Sequence, residues 1–389
     1  MTERYIYLDH AATTPVDEQV LAAMLPFFSE RFGNPSSIHR VGRAALEALD
    51  EARETVAAIL GASRKEIIFT AGGSEADNLA IKGVALAQRE AGKGAHIITS
   101  TIEHHAVLHA VEQLEALGFE ATLLPADRDG LVSPDDLRAA IRPDTVLVSI
   151  MYANNEIGTI QPLAELGAIC HERGVPIHTD AVQAAGSLTL DVDELNVDLL
   201  TLAAHKFYGP KGVGALYARR GVPLLPLING GGQERRRRAG TENVAGVVGM
   251  ATALRLAEER RPGYVAHCTA LRDRLIAGIH ARIPDAYLNG HPTRRLPNNA
   301  NLAFDGVEGE SILLLLDQHG IAASSGSACT SGALEASHVL LALGIPYERA
   351  IGTVRFTAGK DTTATEIDYL LDVLPALIEQ LRSVALASQ

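Results

Sequence analysis

The chain has 389 residues, 47% of them hydrophobic and 21% charged, an ordinary globular composition with room for one large core and a second, smaller one. Its net charge of −13 argues against nucleic acid as the main partner, and the one basic run, Arg235–Arg238, is too short to alter that. No apolar run reaches membrane-spanning length, since "ILLLLD" stops at Asp317.

In chain order, the opening "MTERYIYLDHAATTP" lacks a basic stretch followed by an apolar one and predicts no secretory signal. Apolar, β-branched runs then read as buried strands at Glu66–Thr70, His96–Ser100, Thr145–Met151 and Val175–Asp180. Helical periodicity separates them at Gly73–Glu90, Ala106–Leu117 and Leu163–Arg173. Alternation of this kind predicts an α/β fold, with a mostly parallel sheet covered by helices on both faces. Val213–Gly221 reads as a further strand ending in a turn, and a long helical stretch, Asn243–Arg261, runs to Pro262. Beyond it the pattern becomes α+β, with helices near Glu310–His319 and Thr363–Leu381 and a strand near Gly352–Thr357. The expected division is a large domain over 16–261 and a smaller one over 1–15 and 262–389.

Ligands of open α/β sheets collect at the carboxyl ends of the strands, and three polar features fall there. "TAGGSEADN" runs from strand through two glycines and Ser74 into a helix, which suits an anion such as phosphate, or is simply a glycine-rich turn with a serine cap. It has neither the Walker nor the dinucleotide spacing. In "HTDAVQ", Asp180 ends a strand with Gln183 three residues on, as a helix cap or as a fixed counter-charge for a cationic ligand group. In "AAHKFYGPKG", Lys206 follows an apolar run and precedes an aromatic pair; it is either a partly desolvated, nucleophilic amine or a surface lysine on a loop. An anion cradle, an acid for a pyridinium nitrogen and a Schiff-base lysine together are what pyridoxal phosphate requires.

The three cysteines, Cys170, Cys268 and Cys329, form no disulfide framework and no zinc pattern, which points to a reducing cytoplasm. Cys329 sits in "SSGSACTSG", among residues too small to anchor a loop by burial, and reads either as a reachable thiol or as an accidental surface cysteine.

At these residues the chain resembles the cysteine desulfurases, class V enzymes of the fold-type I pyridoxal-phosphate transferases. The resemblance runs nearly end to end through "YLDHAATTP", "GNPSSIHRVG", "FTAGGSEADNLAIKG", "YANNEIGTIQP", "HTDAVQAAG", "AHKFYGPKGVGALY", "GGGQERRRRAGTEN", "SSGSACTSG" and "VRFTAGKDTTATEID". The cysteine segment is similar to that of the IscS and NifS group. The resemblance implies that Lys206 holds the cofactor, Asp180 pairs with its pyridinium nitrogen, Gln183 bonds its phenolic oxygen and His104 stacks on its ring. It implies phosphate contacts from Gly73, Ser74, His205 and Thr241, the last from a second subunit of a homodimer. Asn155 and Arg355 are expected to bind the carboxylate of L-cysteine. Cys329 is expected to take the sulfur as a persulfide, for transfer to an iron–sulfur scaffold or a tRNA-thiolating enzyme.

His105 and His109, four residues apart, have the spacing of a partial metal site, but no third ligand is evident and no metal is expected. Two features depart from the family. Ala203 stands where a phosphate-binding serine is common, and "LIEQLRSVALASQ" is no recognisable version of the scaffold-docking tail. A selenocysteine lyase or a class V aminotransferase is the alternative enzyme on this scaffold, and a catalytically silent scaffold the alternative of another kind.

Overall fold

The computed structural model describes residues 5–325 and 336–387. Cys329 therefore lies outside the described residues, whereas every other predicted site residue lies within them.

Seven strands form the main sheet, in the spatial order Ile67–Thr70, Gly214–Ala218, Leu199–Ala203, Ile177–Asp180, Thr145–Ser149, His96–Ser100 and Glu120–Leu124. Neighbours are parallel except where Gly214–Ala218 runs against both of its own. Side chains alternate between two apolar layers: Ile67, Phe69, Ile98 and Leu200 face one, Ile68, Ile97 and Leu199 the other. Burial on both faces is why these strands read as continuous apolar runs. The edge strand Glu120–Leu124 was not expected; it is as long as its neighbours but mostly exposed or half-buried, so it carries no such run.

A second core surrounds a three-stranded antiparallel sheet in the order Thr353–Thr357, Asn299–Phe304, Ala286–Leu288, covered by helices Gly309–Gln318 and Ala364–Ala387. The N-terminal segment joins this core through Ile6 and Leu8, and Ile6–Tyr7 pairs in parallel with Ile321–Ala322.

The helix expected to stop before Pro262 does not stop there. It runs unbroken over 39 residues, Val244–Arg282, with Pro262 inside it. An internal proline costs about 3 kcal/mol or more through its missing N–H and its clash with the preceding turn. Packing on both sides outweighs that cost: Val247, Met250 and Leu254 lie in the core of the large sheet, and Leu271, Leu275 and Ile279 in the second core. The buried face of one helix thus changes core on either side of Pro262.

Cys170 and Cys268 are free and fully buried, one in each of these cores. Burial pushes their thiols up to about 12 and about 11.

Candidate active site

Asp180 is the last residue of its strand, and Ala203 ends the neighbouring one, whose chain turns at once into His205 and Lys206. The parallel strands therefore deliver both groups to one edge of the sheet. Lys206 Nζ donates to the carbonyls of Ala11 (2.6 Å) and Ala12 (2.8 Å), and Gln183 Nε2 donates to the same Ala11 oxygen at 3.1 Å. Lysine and glutamine so share one acceptor, on a segment nearly two hundred residues away in sequence.

His104 precedes the helix His105–Ala116 and caps it, Nδ1 accepting from the Ala106 amide at 3.1 Å. That bond leaves Nε2 to carry the proton. Burial lowers the His104 pKa, with Asp180 pulling the other way and Lys206 adding to the fall. A neutral ring beside Asp180 and Lys206 is suited to lie against another flat ring.

Asp180 Oδ1 accepts from the Val182 amide at 2.9 Å. Burial raises its carboxyl pKa against the pull of His104 and Lys206, so the carboxylate form calls for a cation nearby. Beneath it lie two more buried carboxyls that the sequence reading did not identify. Asp77 is raised by burial and then by Asp180; Glu103 is pushed up to about 8 by burial, although Ser100 Oγ (2.6 Å) and the Met151 amide (3.0 Å) both donate to it. His178, with Ser149 Oγ at 2.9 Å and Thr201 Oγ1 at 3.0 Å, is held neutral by burial, at about 3. In this ring wall burial favours the uncharged forms of Asp77, Glu103 and His178, whereas His104 and Lys206 pull Asp180 toward the carboxylate that a ligand cation would meet.

The helix Gly73–Glu90 begins at the same edge of the sheet, and no side chain caps it among the described residues. Its first amides are unspent by the helix itself, as an anion requires. A Cβ on Gly73 would lie 3.0 Å from Val182 and 3.3 Å from the Ala203 Cβ, so a larger residue here would have to push one of the two aside. Ser74 is exposed beside it. His205 Nδ1 lies 3.1 Å from Thr13 Oγ1, and burial lowers its pKa to about 4. Thr241 is exposed, and no hydrogen bond joins it to this group among the described residues. Its approach is stiffened at Glu234, Arg235 and Arg236, all at positive φ (44°, 57° and 65°), where Arg53 grips Glu234 through two bonds of 2.7 Å.

Arg355, in the second core's sheet, supplies the remaining end. It is 3% exposed, donating to the Asn155 carbonyl (2.8 Å) and to Asp9 Oδ1 (2.9 Å), while its Nε has no partner among the described residues. Asp9 was inside a quoted motif, but nothing local marks it as a partner for a residue 346 positions away. His105 and His109 stack with ring centres 4.9 Å apart, and no group of three or more potential ligands is arranged to hold a metal among the described residues.

The buried acid, the uncapped glycine turn, the neutral histidine and the lysine fit pyridoxal phosphate by their chemistry and placement. Comparison with known proteins agrees. The aminotransferase class-V family model matches residues 6–370. A cysteine desulfurase IscS of Dictyoglomus turgidum is 56% identical over 383 residues, covering 98% of this chain and 97% of that protein. One of Methanosarcina thermophila is 54% identical over 380 residues, covering 98% and 93%. A solved NifS-like protein superposes with a TM-score of 0.91 at 38% identity, covering 97% of this chain and all of its own.

Proposed function

Since the chain belongs to the aminotransferase class-V family and is a pyridoxal-phosphate-dependent cysteine desulfurase, we propose how its own residues divide the work. When bound, the cofactor supplies an electron sink conjugated to the amino group of L-cysteine. Lys206 Nζ anchors the cofactor and then moves the substrate α-proton. Asp180 keeps the ring nitrogen protonated, Gln183 bonds the phenolic oxygen and His104 covers the ring face. Gly73, Ser74 and His205 hold the phosphate. Arg355, with Asn155 beside it, takes the substrate carboxylate.

Cys329 receives the sulfur. Its thiolate attacks the substrate sulfur; the C–S bond breaks, an S–S bond forms, and the carbon keeps the electron pair and takes a proton. L-Cysteine and one thiol become L-alanine and one persulfide, which passes to an acceptor. The observation that carries this assignment is the anchoring of the cysteine segment. Ser324, five residues before Cys329, is bridged by backbone hydrogen bonds to Arg355. The thiol is thereby leashed to the residue that holds the substrate. Cys329→Ala should abolish alanine and sulfide production while L-cysteine still perturbs the cofactor's absorbance; turnover at the wild-type rate would remove Cys329 from the mechanism.

The finer assembly is part of the same reading. Phe28, Phe32 and Ile38 expose 64%, 67% and 90% of their surface, within a stretch that also exposes Leu21, Leu25 and Val41. Large apolar side chains left exposed along one stretch suit a second copy of the chain, whose Thr241 would complete the phosphate site. Sedimentation at the single-chain mass of 41.3 kDa would rule this out. We place the acceptor among iron–sulfur scaffolds or tRNA-thiolating enzymes, and the protein in the cytoplasm, where free cysteines persist. The working units are 16–261 and, together, 1–15 and 262–389.

A further inference from the structure

We propose that Ser337 and His338 are positioning residues for sulfur transfer: they tie the chain that follows Cys329 to the two turns bearing His104 and Asn155. This rests on the reading that Cys329 accepts the sulfur.

Ser337 is buried, and its Oγ donates to the carboxylate of Glu156, the residue after Asn155. Glu156 is itself buried, and burial raises its pKa against this bond. The same Oγ accepts from the amides of Val339 (3.1 Å) and Leu340 (3.3 Å), capping the helix His338–Ala342. His338 Nε2 donates to the carbonyl of Glu103, the residue before His104, at 2.9 Å. Its ring lies 4.6 Å from that of His105. Val339, Leu340 and Leu343 complete the attachment by packing on Ile102, Met151 and Ile157, which belong to the same two turns.

A helix start needs only the cap. The other two donors are aimed at buried acceptors, and each acceptor adjoins a cofactor- or substrate-facing residue. The segment carrying Cys329 is thus fixed at both ends, on Arg355 through Ser324 and on the ring wall through Ser337 and His338. Five residues reach at most about 18 Å and eight about 28 Å, so the two anchors together bound where the thiol can go. Releasing one widens that volume and lowers the effective concentration of thiol at the substrate sulfur. Cofactor and substrate binding, which use other atoms, are left in place.

The test uses cofactor-loaded enzyme mixed rapidly with L-cysteine. One channel follows the absorbance change on substrate binding; the other quenches the reaction and measures persulfide on Cys329 by alkylation and mass spectrometry. For Ser337→Ala and His338→Leu, persulfide formation should slow by about tenfold or more, with the absorbance change within about twofold of wild type. His338→Gln, whose amide can still donate to the Glu103 carbonyl, should recover most of the rate. Persulfide formation within twofold of wild type in both truncated variants would overturn the proposal. So would an equal fall in both channels, or loss of cofactor, either of which would make the two residues part of the ring wall's structure. Failure of the Cys329 reading is distinguishable, because Cys329→Ala alone would then still turn over.

Discussion

The two sides of the active site are built by different means. The ring wall is built mainly on one sheet: Asp180 ends one strand, Lys206 follows its neighbour, and His104 follows a strand one further across, with Glu103 beside it bonded to Ser100 and Met151; the N-terminal carbonyls of Ala11 and Ala12 brace Lys206. The carboxylate and sulfur side is assembled across the molecule, where Arg355 meets Asp9, Asn155 and Ser324, and Ser337 and His338 meet Glu156 and Glu103. A wall set by one sheet keeps its geometry as long as the sheet stands. A side set by contacts between distant segments can lose its alignment while the fold persists. On the proposed division of roles, electronic activation and sulfur delivery should be separable by mutation.

The change with the largest expected effect breaks the wall itself. Lys206→Ala removes both the cofactor anchor and the proton carrier, and turnover should fall by at least about 10³-fold. Borohydride should fix the cofactor on the Lys206 peptide of the wild type, and label on another lysine would refute the wall's assignment.

Glu103→Gln should sharpen the contrast by altering stability without touching the sulfur side. The folded Glu103 carboxyl sits at about 8 against an ordinary 4.5, so the folded protein holds a proton that the unfolded chain has released. That contribution is complete below about 4.5 and is lost as pH rises to about 8. The glutamine variant, neutral throughout, should gain on the wild type by about 5 °C in Tm across that interval. Parallel Tm curves would mean that Glu103 is ionised in the folded protein.

The smallest effect is expected at Ala203. Its Cβ faces the Gly73 turn, and a hydroxyl there would give the phosphate one more charge-assisted bond, worth about 1.5–3 kcal/mol. Ala203→Ser should slow cofactor loss on dialysis and leave saturated turnover nearly unchanged. Unchanged or faster loss would show that the phosphate is held by other atoms.

The same contrast explains what was legible in the sequence. Strands buried on both faces, the helix Gly73–Glu90 and the polar groups at strand ends each leave a local signature, and the sheet places them as expected. The unbroken helix through Pro262 was hidden because a strong local penalty is overcome by packing against two cores. Asp77, Glu103 and Asp9 were hidden because their significance depends on partners elsewhere in the chain. His338 reads as one more polar residue at a helix start until the Glu103 carbonyl is found in front of it.

The sealed thiols of Cys170 and Cys268 have a consequence for sulfur accounting. With both at 0% exposure and poorly ionised at neutral pH, neither is equipped to take a sulfur atom from Cys329 by exchange. On the proposed role of Cys329, each chain would then be a one-slot carrier. Such a chain would have to hand its cargo on before loading again, and at steady state the pace of the acceptor would set how fast alanine appears.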